Sequence, residues 1–178
     1  MWVIRKCFEE FNKHKTLYLP THFNHVNEIT DVAKEAVLRI RQAGVTVNNQ
    51  AVLLRGVNDS AEDIENLMNG LVTIGVNPYY LYQCMPVSRV RHHFQVPLKQ
   101  GIDLVDTAKL RLDGYAKRFK FIMGHDIGKI EICGRIDDKL ILKKIHSRPE
   151  EPETASRMMI MKLDENAGWL DDMEEIQI

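Results

Sequence analysis

Lys129 stands in the run Gly124-His125-Asp126-Ile127-Gly128-Lys129-Ile130-Glu131-Ile132, and its chemistry is the sharpest in the chain. A lysine held in a pocket can lose its proton and attack an aldehyde. At an ordinary hairpin tip it stays solvated, and the local sequence fits both readings. His22 and Gln50 offer a different chemistry. An imidazole and an amide give directional hydrogen bonds to a ligand without adding charge, yet both are also ordinary polar residues at strand ends. Tyr79, Tyr80 and Tyr82 sit together in Pro78-Tyr79-Tyr80-Leu81-Tyr82-Gln83-Cys84. Strand alternation places Tyr80 and Tyr82 on one face and Tyr79 on the other. Such rings can pack against a flat cofactor or fill a core. Gln83 is a further candidate for the same pocket.

The elements that must hold these residues follow from periodicity. Trp2, Ile4, Cys7, Phe8 and Phe11 form an apolar stripe that predicts a helix over 2–14. A short strand over 17–19 ends in the polar loop holding His22. Thr30 is a candidate N-cap for a helix over 31–43, which Gly44 stops. Residues 45–54 alternate and then run apolar, as a buried parallel strand does. Ser60, with Asp63 three residues on, starts a helix over 61–74, and 79–84 is the next strand. The first half therefore reads αβαβαβ with short connections, which implies a parallel sheet or barrel. Ligand groups in such folds gather at the C-terminal ends of the strands, where His22 lies. Beyond Cys84 come a basic connector over 85–94, a helix over 98–112, strand-like runs at 119–123, 129–133 and 140–145, a polar loop at 147–157 and a last strand at 158–163. The acidic stretch 171–175 reads as mobile.

Bulk properties narrow the function classes. The 178 residues suit one domain, and a formal net charge of −1 argues against nucleic acid or an anionic membrane as partner. No apolar run approaches the roughly 20 residues of a membrane span, and the start is not a signal peptide. Cys7, Cys84 and Cys133 are far apart, with neither zinc spacing nor a disulfide framework, so a reducing cytoplasm is the expected location.

Three phrases carry a family resemblance. They are Thr21-His22-Phe23-Asn24-His25-Val26-Asn27-Glu28-Ile29-Thr30, then Asn49-Gln50-Ala51-Val52-Leu53-Leu54-Arg55-Gly56-Val57-Asn58-Asp59, then the tyrosine strand. In this order, and about one βα unit apart, they resemble the second half of the lysine 2,3-aminomutase family of radical S-adenosylmethionine (SAM) enzymes. The resemblance covers residues 1–145. It implies an α/β fold, with the last three βα units of a six-unit partial parallel (β/α) barrel and then a small α+β extension. The divisions are 1–95 for the barrel half, 96–163 for the extension and 164–178 for an acidic tail. It also implies three cofactors in the full-length family, which are SAM, pyridoxal phosphate (PLP) and a [4Fe–4S] cluster. His22 and Gln50 match positions that contact SAM, Tyr82 would face a cofactor, and Lys129 matches the lysine that holds PLP. The family activity is migration of an amino group within an amino acid, started by a 5′-deoxyadenosyl radical.

The departures from the family pattern matter as much. The cluster loop Cys-x3-Cys-x2-Cys is absent, so the resemblance implies a chain that is catalytic only beside the missing N-terminal half of the barrel. A second reading is a non-catalytic fragment or split-gene product that self-associates through an uncovered sheet edge around 17–19. A third keeps the family with a different radical reaction, with or without PLP. The lysine enzymes grip the substrate's distal ammonium with two aspartates, where this chain has Met85 and Ile122. An unpaired buried cation is costly, so a less basic amino acid is the expected substrate. Ser60 replaces a cysteine of the family's structural zinc site and no cysteine follows residue 150, which together exclude that site, and adjacent His92 and His93 point to opposite sides. Arg89 and Arg91 either pair a substrate carboxylate or form a solvated basic loop.

Overall fold

The computed structural model describes residues 2–177, with side chains described from Lys6 onward. Helix α1 (Trp2–Asn12) precedes strand β1 (Tyr18–Thr21), helix α2 (Asp31–Gln42), β2 (Thr46–Leu53), α3 (Ala61–Thr73) and β3 (Asn77–Gln83). Then come α4 (Arg91–Phe94), α5 (Leu98–Arg111), β4 (Lys120–His125), β5 (Gly128–Ile136), β6 (Lys139–Ser147), β7 (Met158–Lys162) and the two-residue β8 (Glu174–Glu175). The expected αβαβαβ order is present, and element ends fall within a few residues of those read from the sequence.

Local chemistry explains the helix ends. Thr30 Oγ1 accepts from Ala33 N at 3.3 Å, and Ser60 Oγ accepts from Asp63 N at 3.0 Å. Each cap satisfies one donor that a helix start leaves orphaned, worth about 1 kcal/mol. Gly44 (φ +82°) and Gly75 (φ +74°) then turn the chain out of α2 and α3 in the left-handed region, which disfavours side chains. The stripe expected on α1 is packed only in part over its described side chains: Phe8 is half-buried, while Cys7 and Phe11 are exposed. Trp2 and Ile4 lie outside the described side chains.

The strands form one sheet in the order β1-β2-β3-β4-β5-β6-β7-β8. Strands β1 to β4 run parallel, and β4 onward pair antiparallel. The parallel part thus has four strands, and the sheet crosses residue 96 without a break. This mixed arrangement makes an α/β fold. Strand β2 alternates strictly between buried and half-buried positions, instead of being buried on both faces. Val47, Ala51 and Leu53 of β2 join Leu81, Phe121, Met123 and Ile130 in one core with Ile64, Leu67, Met68 and Leu71 of α3 and Ile102 and Val105 of α5. Each such leucine removed from water contributes about 1.5–3 kcal/mol. The alternate residues Asn48, Gln50, Val52, Tyr82, Lys129 and Glu131 stay half-buried on the opposite, open face. No described helix is long and apolar enough to cross a membrane.

The acidic tail is ordered, contrary to the expectation of mobility. Arg157 binds Glu175 with both oxygens inside 3 Å, Arg91 binds Asp172 at 2.6 Å, and His125 binds Asp171 at 3.1 Å. Trp169 and Leu170 are buried beneath it. These partners are remote in sequence, which is why local composition suggested a free end.

Candidate functional site

The polar phrases that stand out in the sequence mostly build the scaffold. Asn49, 1% exposed, receives Thr21 Oγ1 and Phe23 N on its Oδ1 at 3.1 and 2.8 Å and donates to Phe23 O at 2.9 Å. Asn24 Oδ1 accepts from Val52 N at 2.8 Å. Asn58, also 1% exposed, accepts from Leu54 N and donates to both Asn24 O and Val52 O, all within 2.8 Å. Backbone groups at the ends of β1 and β2 would otherwise be buried without partners, and three asparagines satisfy them. His25 and Glu28 close a capping box around the 3-10 turn Val26–Glu28.

His22 and Gln50 meet through that scaffold. His22 Nδ1 lies 2.9 Å from the Gln50 carbonyl, so it donates there and leaves Nε2 free to accept from a ligand. His22 is exposed, and the Gln50 side chain is half-buried on the open face.

Tyr80, Tyr82 and Lys129 lie together on the same face, farther along the sheet. The β2–β3 register slips between Asn49 and Gln50, which pair with Pro78 and Tyr80. Tyr79 is the extra residue of this bulge. The bulge breaks the alternation expected of Tyr79 and Tyr80, whose ring centres are 4.0 Å apart with hydroxyls 3.2 Å apart. Tyr80 meets Tyr82 edge to face at 5.7 Å. Burial first, and then the neighbouring phenol of Tyr79, push the Tyr80 hydroxyl above its ordinary range. It therefore stays protonated, and it donates that proton to the Tyr79 hydroxyl.

Lys129 reaches this tyrosine ledge because Gly124 pairs with Lys129 and Ile122 with Glu131 across the β4–β5 hairpin. Its Nζ stands 5.1 Å from the Tyr80 ring centre, an attractive cation–π distance. Gly124 leaves a gap between Lys129 and Tyr82, since a Cβ there would touch only Tyr82 Cε1, at 3.8 Å. Glu131 binds Lys120 at 2.7 Å, and Ile122 beside them is 0% exposed. The sequence reading missed Gly124, Lys120 and Glu131. The available signal was the hairpin alternation, which puts Lys129 and Glu131 on one face.

Other candidates part from this face. Gln83 points into the core and donates to Val96 O at 2.7 Å and Gly168 O at 3.0 Å, so it does not join Tyr82. Arg91 is held by Asp172, and Arg89 takes a left-handed φ of +70° in the connector. Cys7 and Cys133 are exposed and Cys84 is buried, on α1, on β5 and just past β3. Among the described residues no group of three His, Cys, Asp or Glu side chains converges.

Comparison with known proteins adds a family to this arrangement. The chain is 37% identical over 173 residues to a protein of Aquifex aeolicus named "Putative L-lysine 2,3-aminomutase", covering 96% of this chain and 46% of that one. It is 44% identical over 103 residues to L-lysine 2,3-aminomutase of Clostridium subterminale, covering 58% of this chain and 24% of the relative. Glutamate 2,3-aminomutase of Clostridioides difficile is 36% identical over 104 residues, 58% of this chain and 24% of the relative. A radical SAM methyltransferase from Sphaerobacter thermophilus gives a TM-score of 0.40 at 15% identity, over 66% of this chain and 38% of that one. No protein-family model matches. By sequence the chain belongs to the lysine 2,3-aminomutase family, and it spans less than half the length of these relatives.

Proposed function

We propose that the chain is the C-terminal half of the barrel of a radical SAM amino acid 2,3-aminomutase-like enzyme, with the open face as the inner face of that barrel. The observation that carries this reading is Lys129 standing over the Tyr80 ring beside the gap at Gly124. A flat aldehyde cofactor fits this donor set, with a lysine to hold it, aromatic rings to pack on it and a missing side chain to admit it. PLP, when bound, supplies an electron-withdrawing ring to which a migrating amino group is tethered. Lys129 would hold it, Tyr82 would line it, and the Tyr80 ring would pack beside the Lys129 ammonium while its hydroxyl donates to Tyr79. His22, anchored through Nδ1, and Gln50 would position SAM by hydrogen bonds.

A [4Fe–4S] cluster does not fit this chain, because its three thiols lie on separate elements and a cluster needs thiolates brought together. We assign cluster binding to the part of the family's length that this chain does not span. The missing strands would pair along β1, whose only sheet partner among the described residues is β2. The substrate we assign is an amino acid less basic than lysine. Ile122 offers no charge, and the nearby carboxylate of Glu131 is already neutralised by Lys120. A second ammonium would have to displace Lys120 from it.

The test is PLP addition, borohydride reduction and peptide mapping. Label concentrated on Lys129 is the expected result, lost in Lys129→Arg. Label spread over exposed lysines such as Lys117 and Lys139 in proportion to exposure sinks the assignment.

A further inference from the structure

A second polar cavity lies away from the open face, where the loop after β2, helix α4 and the C-terminal tail converge. It is open on one side and has a volume of about 190 Å³. Arg55, Arg91, His92, Gln95, Asn166 and Gly168 line it. Its walls are fixed. Arg55 N donates to Phe94 O at 2.8 Å, Gly168 O accepts from Gln83, and Asp172 accepts from Gly168 N and Trp169 N, each at 3.0 Å, while binding Arg91.

Two features point to a ligand. The first is cationic. The Arg55 side chain meets no carboxylate among the described residues, and Asp172 engages only one of the Arg91 nitrogens, Nη2. Beside them stand the His92 ring and the Asn166 amide. The second is an acceptor. Gln95 is 5% exposed, and its Nε2 donates to Cys84 O at 2.8 Å, which fixes the amide orientation. Its Oε1 then points to the Gly168 side, where a Cβ would come within 2.3 Å, and takes no hydrogen bond from the described residues. This oxygen is accessible from the cavity, so a donor on a ligand can reach it.

We propose that this cavity binds a phosphate group that carries a proton. The phosphate oxygens accept from Arg55, Arg91, His92 and Asn166, and the P–OH donates to Gln95 Oε1. No covalent step is involved, and the proposal stands apart from the aminomutase reading. Inorganic phosphate and a singly protonated phosphomonoester share this chemistry. Sulfate at neutral pH has the same shape without the proton, so it would set an oxygen against Gln95 Oε1.

The experiment is calorimetric titration of the full chain at fixed ionic strength with inorganic phosphate, methyl phosphate and sulfate. Phosphate should bind at least about tenfold tighter than sulfate, and Arg55→Ala should weaken phosphate by about tenfold. Methyl phosphate that binds as well as phosphate at pH 5.5 and loses affinity above its second pKa of about 6 identifies an ester end. Methyl phosphate that fails at both identifies the free ion. Arg55 is exposed, so its truncation leaves the fold intact, and His92→Ala serves as a second variant. Equal binding of sulfate and phosphate overturns the proposal. So does phosphate affinity unchanged in both variants, or no binding of either phosphate at millimolar concentration.

Discussion

Truncating Asn58 to alanine separates two readings of the Gly56-Val57-Asn58-Asp59 phrase, one in which it touches a ligand and one in which it holds the fold. The structure places the Asn58 amide 1% exposed, accepting from Leu54 N at 2.7 Å and donating to Asn24 O and Val52 O at 2.7 and 2.8 Å. Asn58→Ala would leave one backbone donor and two acceptors unpaired at the ends of β1 and β2. Each unmade buried bond costs about 1–1.5 kcal/mol, so the total is about 3–5 kcal/mol. That is a large share of the 5–15 kcal/mol typical of a domain.

Urea unfolding followed by circular dichroism measures the loss. With a slope of about 2 kcal/mol per molar urea, the midpoint should fall by about 1.5–2.5 M at unchanged slope. Asn27→Ala, exposed in the loop after β1, should shift stability by less than about 0.5 kcal/mol. A midpoint for Asn58→Ala within about 0.5 M of the parent refutes the scaffold argument. So does lost SAM or PLP binding at unchanged stability, because that pattern belongs to a ligand contact.

Two further predictions test the hairpin and the tail. Gly128 has φ +130°, and a Cβ there would lie 1.9 Å from the His146 carbonyl oxygen, so Gly128→Ala should lose about 2–4 kcal/mol. The same variant should also lower borohydride labelling of Lys129, and a thermal midpoint equal to the parent's contradicts the register. For Asp172, burial would raise the carboxyl pKa, but hydrogen bonds from Gly168 N, Arg91 and Trp169 N outweigh it and hold the group below its ordinary 3.8. A depressed folded pKa contributes stability that is fully present above 3.8 and lost as pH falls through the folded value. In a Trp2→Phe background, the Trp169 fluorescence difference between the parent and Asp172→Asn should therefore stay flat from pH 7 to about 4 and shrink below it. A difference that already shrinks between pH 6 and 5 contradicts this account.

The catalytic candidates were legible unequally. Lys129 could be nominated from its residue type, its neighbours and the family resemblance, and the hairpin then brings it to the tyrosine ledge. Gln83 was grouped with Tyr82 because they are adjacent, yet one residue along a strand reverses the face, and its amide serves the core. Arg91 read as a free cation because Asp172, its partner, lies far down the chain.

By itself, the sequence determined what short-range physics controls. Thr30 and Ser60 start helices, Gly44 and Gly75 end them, and the apolar period of each segment sets its type, so the βα order follows without any distant contact. Only the tertiary structure decided what depends on register and remote pairing. A one-residue slip between Asn49 and Gln50 puts Tyr79 against Tyr80. The pairing of Gly124 with Lys129 sets the lysine beside a gap, and residues Trp169 to Glu175 become ordered through partners on α4, β4 and β7 and in the loop before β7. Three asparagines of the phrases that carry the family resemblance satisfy buried backbone groups. Hydrogen-bond partners about thirty residues away leave no periodic trace in a sequence, and only the folded chain shows where each polar group is spent.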